Sequence, residues 1–184
     1  MRPEMFFALE LMKGDPRASI DIQFLNNRPY ENSLNAAVEM GRMGNYDFLL
    51  TFDHDNVPRN NPIDLAFLEK DIVGMPYIGL QNREKGIEFA FLAMDKKENG
   101  EYLDHKILKG LQEVDAVASG ALLLSKRVLQ SGLFFEREWD KGFAIRGIDF
   151  YFCDKAKQQG FNVWAHYDYL AEHFKEVGLL SLYG

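Results

Sequence analysis

Apolar residues recur at helical spacing from the start of the chain. Met5, Phe6, Ala8, Leu9 and Met12, with Pro3 where a first turn tolerates it and Gly14 as the stop, predict a helix. Ala18, Ile20, Ile22 and Phe24 then alternate with Ser19, Asp21 and Gln23, which predicts a strand with one polar face. Asn26-Asn27-Arg28-Pro29 breaks it, and Tyr30, Leu34, Ala37, Val38 and Gly41 form a second helical face. Tyr46 to Phe52 is a short aromatic and branched run, as expected of a strand buried on both faces. The order to this point is α, β, α, β.

A short helix is predicted over Pro62 to Lys70, with Pro62 at its start and Leu65, Phe67 and Leu68 on its apolar side. Asp71 to Tyr77 and Ile87 to Ala93 are both strand-like and are separated by a polar, Gly-containing connection, the pattern of a hairpin or an edge excursion. Asp95 to Gly100 is a charged turn, and the dozen residues after it carry no clear period. The apolar runs Glu113 to Ser119 and Ala121 to Leu124 flank Ser119-Gly120, a glycine step that implies close backbone approach or a bend. Ser125 is placed to cap a short helix through Gln130. Ile148, Tyr151, Phe152 and Ala156 mark a helix over Gly147 to Gly160, and Phe161 to Tyr167 returns as a strand.

Composition narrows the class. With 184 residues, 47% of them hydrophobic, the chain suits one substantial core, so a single domain over residues 1–184 is expected. The net charge of −7 and scattered basic residues argue against a surface that tracks nucleic acid, though not against a small nucleotide. No apolar run approaches bilayer length, and no signal peptide opens the chain. The single cysteine, Cys153, lies in an apolar helical pattern, so a packing role and a reducing, cytoplasmic setting are expected.

The chemistry gathers at the end of the Tyr46–Phe52 run. Asp53 and Asp55 sit where that strand leaves the sheet, followed by Asn56, Pro58, Asn60 and Pro62 as turn residues. In an open α/β sheet the carboxyl ends of strands line the ligand crevice. Two hard oxygen ligands there suit a divalent cation that also holds a phosphate. His54, between them, should point away by strand alternation. On the residues alone, Asp149 also fits a helix-start acid facing free amides, His173 a solvated histidine, and Asp115 either a pocket residue or a solvent-facing strand position.

Four segments now stand in order: Asp53-His54-Asp55; Val114 through Leu124 with its Ser119-Gly120 step; Gly147-Ile148-Asp149 opening a helix; and Glu172-His173 after the last strand. Together they resemble a GT-A-fold glycosyltransferase of the family 2 kind, over about residues 18 to 173. The first resembles that family's Asp-x-Asp metal motif, the second its donor-sugar and acceptor lining, the third the helix start that carries the base, and the fourth its late histidine. The resemblance implies a single-domain α/β fold, a GT-A-like mixed sheet flanked by helices. It implies Mn²⁺ or Mg²⁺ at Asp55, Asp53 and His173, with Asp53 also near the donor ribose, and Asp149 as general base. Asn35, Ser119 and Gly120 would line the donor site. The partners implied are a UDP- or GDP-sugar donor and a glycan or other hydroxyl acceptor; inversion at the sugar carbon is expected, with retention on the same fold as the alternative.

The chain departs from that pattern in three places. It starts at the helix that normally follows a first nucleotide-binding strand, so the fold is expected to be N-terminally shortened. Leu34 stands where relatives carry the arginine of an Arg-Asn pair, and Ile148-Asp149 keeps only the aspartate of an acidic pair. A catalytically silent GT-A-like domain that binds a glycan or a protein is the alternative these losses suggest. A sugar-nucleotide-forming nucleotidyltransferase would need a glycine-rich basic loop that the sequence lacks.

Overall fold

The structure is a computed structural model and describes residues 2–83 and 86–175. Its helices are α1 (Pro3–Lys13), α2 (Tyr30–Met43), α3 (Lys126–Gln130) and α4 (Ile148–Gln158), with a 3-10 helix at Pro62–Leu68. The strands of the first half are β1 (Phe48–Phe52), β2 (Asn56–Pro58), β3 (Ile72–Gly74), β4 (Ile78–Arg83), β5 (Gly86–Phe91), β6 (Ala93–Lys96) and β7 (Tyr102–Asp104). Those of the second are β8 (Leu111–Val114), β9 (Ala116–Val117), β10 (Ala121–Ser125), β11 (Glu138–Asp140), β12 (Phe143–Arg146), β13 (Val163–His166) and β14 (Ala171–His173).

A five-stranded sheet in the order β1-β10-β3-β13-β8 organises these elements. It is mixed, because β13 runs parallel to β3 while the other pairings are antiparallel. Alternation along β10 and β3 sends Leu122, Leu124 and Ile72 to one face, against Leu34 and Val38 of α2, Leu129 of α3 and Phe152 of α4. Leu123 and Val73 go to the other face, where Leu65 of the 3-10 helix, Met75 and Ala171 cover them. Burial on both faces explains the unbroken apolar run of β10, since each fully buried leucine contributes about 1.5–3 kcal/mol. The molecule is thus a mixed α/β fold, a mixed sheet flanked by helices, as the patterning predicts. Among the described residues no helix is long and apolar enough to cross a membrane.

Several expectations need correction. Residues 18–24 form no strand, although Ala18, Ile20 and Ile22 are half-buried. Alternation records one-sided burial, but a strand also needs a partner edge, and no described strand supplies one. For a related reason β1 is not buried on both faces. It pairs only with β10, at the end of the sheet, and four of its residues keep partial exposure. The polar connection after Tyr77 is itself a strand: β4 pairs with β5, while β3 stays in the main sheet. Residues 84 and 85 of that connection lie outside the described residues. Ser125 precedes α3, but its hydroxyl donates to Asp71 at 2.7 Å rather than capping the helix.

Two contacts fix the segment leading to α4. Asn35 in α2 clamps the backbone of Phe135, its Nδ2 donating to the carbonyl at 2.8 Å and its Oδ1 accepting the amide at 2.7 Å. Phe135 in turn stacks on Phe152, ring centroids 4.0 Å apart. Further on, Arg146 pairs with the buried Asp154, which also accepts from Lys96 and Tyr102 at 2.8 Å each. These contacts hold the chain on both sides of the β11–β12 ribbon, immediately before Gly147 and Asp149. Replacing Asn35 with alanine leaves both Phe135 backbone groups unpaired and is expected to cost about 1–3 kcal/mol in chemical denaturation. An unchanged unfolding midpoint would contradict this structural role.

Candidate active site

The site begins where β1 ends. Phe52 pairs with Ala121, and one residue further the Asp53 amide donates to the Gly120 carbonyl at 2.8 Å, carrying Asp53 to the 119–120 step. Thr51 secures that step from below, its hydroxyl donating to the Ser119 carbonyl at 2.9 Å. Gly120 is required by close approach. A Cβ there would lie 2.4 Å from Asn56 Nδ2, 2.6 Å from the Tyr77 hydroxyl and 2.7 Å from Asp53 Oδ2. Three polar side-chain ends therefore converge over one glycine, which any larger residue would push apart.

Tyr30, the first residue of α2, closes this group from the other side. Its hydroxyl donates to Asp53 Oδ1 at 2.6 Å and lies 3.4 Å from Ser119 Oγ. Burial pushes the Tyr30 phenol well up, and the Asp53 charge adds to this, so it remains a proton donor at working pH. Burial likewise raises the Asp53 carboxyl, opposed by the Tyr30 hydrogen bond and reinforced by the Asp55 charge.

Asp149 enters the same group from the first turn of α4. Burial pushes its carboxyl up to about 6, with the Asp53 charge adding to the rise. The Ser119 hydroxyl and backbone, and more weakly Arg137, act in the opposite direction. A helix start ordinarily lowers an aspartate's pKa. Here desolvation outweighs it. Among the described residues, Oδ1 of Asp149 is buried without a hydrogen-bond partner, leaving an acceptor to take a proton. Arg137 is itself anchored by Glu31 of α2 at 3.1 Å.

Asp55 faces the end of the last described strand. The pairing of β2 with β14 sets His173 opposite Asn56, and the Phe174 amide donates to the Asp55 carbonyl at 2.8 Å. His173 Nδ1 is 2.8 Å from the Ile78 carbonyl, which fixes the proton on that nitrogen. Nε2 faces Asp55 Oδ2, 3.6 Å away, with the Tyr77 ring edge-on to the imidazole. Lys175 Nζ lies 2.9 Å from the same oxygen. Burial would raise the Asp55 carboxyl, but Lys175, helped by His173 and His54, holds it below its usual value.

These features decide how a divalent cation fits. An oriented imidazole nitrogen and a carboxylate facing each other are the start of a mixed ligand set, and an ammonium already sits where positive charge is needed. Among the described residues, no three His, Cys, Asp or Glu side chains stand close enough to hold a metal as they are. Asp53 stands near this pair, within reach of the Asp55 charge, with its Oδ1 held by Tyr30.

Of the residues named from the sequence, Asp53, Ser119, Gly120 and Asp149 come together, and Asp55 and His173 meet beside them. Asn35 does not join: its amide is spent on Phe135. Asp115 also stays apart, paired with Lys157 and accepting the Lys96 amide at 2.6 Å. Cys153 is buried, its thiol pushed up to about 12 by desolvation, consistent with packing alone. Tyr30, Asn56, Tyr77, Arg137 and Lys175 are site residues that sequence reasoning missed. Only Asn56, adjoining the Asp-x-Asp triplet, carried a positional signal.

No protein-family model matches the chain, and no curated protein matches it by sequence. Among solved structures, the crystal structure of A197 from STIV is similar, with a TM-score of 0.61 and 19% identity over 96% of this chain and 81% of that one, a likeness of fold.

Proposed function

We propose that the protein is a metal-dependent glycosyltransferase of the GT-A type. It moves a sugar from a UDP- or GDP-linked donor to a hydroxyl of a glycan or other acceptor, with inversion. The observation that carries this reading is a pair of unlike carboxylates linked through Asp53. Asp149 is raised to about 6, while Asp55 is held below its usual value beside Lys175, and Asp53 interacts with both. Carboxylates whose surroundings push them apart in acidity suit one proton-transfer role and one charge-holding role.

Asp55 and His173 would hold Mn²⁺ or Mg²⁺, with Asp53 between that ion and the donor ribose. When bound, the ion supplies Lewis-acid stabilisation of the departing diphosphate. Asp149 accepts the acceptor's hydroxyl proton as that oxygen forms its bond to the anomeric carbon. The bond from that carbon to the phosphate oxygen breaks, and its electron pair leaves with the nucleoside diphosphate. Tyr30 keeps Asp53 oriented, and Gly120 lets the donor side of the cleft close on Asn56 and Tyr77. Such preorganised polar groups are worth most in a site that excludes water.

The test is release of nucleoside diphosphate from UDP-, GDP- and dTDP-sugars, with Mn²⁺ and a panel of hydroxyl acceptors. Metal-dependent release with one donor class, and a product of opposite anomeric configuration, is the expected result. Retention of configuration would remove Asp149 as the base of an inverting displacement. Absence of release from every donor would leave a silent binding domain.

A further inference from the structure

We propose that Lys175 is a built-in counter-ion of Asp55 that a divalent cation must displace, so the site takes metal well only when an anionic diphosphate is present to receive the ammonium. The inference rests on the metal reading above and adds how loading of that site is regulated. Asp55 Oδ2 faces both the Lys175 ammonium, at 2.9 Å, and His173 Nε2, at 3.6 Å. A cation seated between carboxylate and imidazole would meet the ammonium at the same oxygen, and like charges that close repel.

The arrangement is built rather than incidental. The β2–β14 pairing and the Phe174 amide on the Asp55 carbonyl fix the backbone next to Lys175. The carboxylate end is sheltered, with the Asp55 side chain 16% exposed, while the lysine side chain is 56% exposed. A rooted, flexible cation can therefore reach Asp55 when the cleft holds no anion and swing to a phosphate when one arrives. Freed of its counter-ion, Asp55 binds metal more tightly. By linkage, metal then favours the donor by the same factor, which makes the two ligands cooperative beyond any direct contact between them.

Mn²⁺ binding, followed by the electron paramagnetic resonance signal of the free ion, tests this without any turnover. For the protein without nucleotide, Lys175→Gln is expected to bind Mn²⁺ about fivefold or more tightly than the parent, the scale of a partly sheltered ion pair. Lys175→Arg, which keeps the charge, should stay near the parent. Addition of UDP should raise the metal affinity of the parent by a larger factor than that of Lys175→Gln. Equal or weaker Mn²⁺ binding by Lys175→Gln, in a variant with an unchanged unfolding midpoint, would overturn the proposal. Binding to none of the three proteins, with UDP or without it, would overturn the metal reading itself.

Discussion

Asp149→Asn is expected to bind donor as the parent does while losing about 100- to 10,000-fold in turnover, the range that a positioned general base supplies. The same change should stabilise the protein at neutral pH. The Asp149 carboxyl is raised in the fold from 3.8 to about 6, so the fold prefers it protonated. That contribution is fully present below the unfolded value and is lost as pH rises through about 6. Asparagine escapes the loss, giving an advantage of about 1–3 kcal/mol at pH 7 that disappears near pH 4. Activity of the parent should fall on the acid side of about 6, as the base takes up its proton. Gained stability with lost turnover marks a group kept in an unfavourable setting for chemistry. A variant as active as the parent would remove Asp149 as the base.

Asp55→Asn is expected to weaken Mn²⁺ binding by at least about 100-fold, because it removes a full charge from the ligand set. Metal-dependent donor binding should vanish with it. The fold should survive: the partner left behind, Lys175, is largely exposed and readily solvated. Calorimetric titration of Mn²⁺ separates this from general damage, provided the unfolding midpoint is within a degree or two of the parent. Undiminished Mn²⁺ affinity in Asp55→Asn would place any metal elsewhere.

The parts of the fold that the sequence foretold are those set by local period. α1, α2 and α4 follow their apolar spacing, and β10 follows from a run that only a doubly covered strand tolerates. The parts it hid depend on distant partners. Residues 18–24 alternate as a strand should, yet pairing depends on an edge that periodicity does not record. The apolar content of β1 concealed its place at the end of the sheet.

The site divides in the same way. Asp53 and Asp55 stood out because a hydrophobic strand runs straight into them. Asn35, by contrast, resembles a donor-site residue in the sequence, while its amide bonds are spent a hundred positions away on Phe135. Tyr30 and Tyr77 gave no signal, since their roles arise when the start of α2 and the connection between β3 and β4 meet around Ser119-Gly120.

A cleft in which metal and nucleotide-sugar bind together is the centre of this account, and ligand-dependent thermal unfolding examines it most directly. UDP-, GDP- and dTDP-sugars are each added with and without Mn²⁺, and the unfolding temperature is recorded. Stabilisation by one donor class, only when Mn²⁺ is present, is the expected result; at a donor concentration 100 times Kd it corresponds to about 2.7 kcal/mol. An unfolding temperature unmoved by every donor, in either condition, would contradict it.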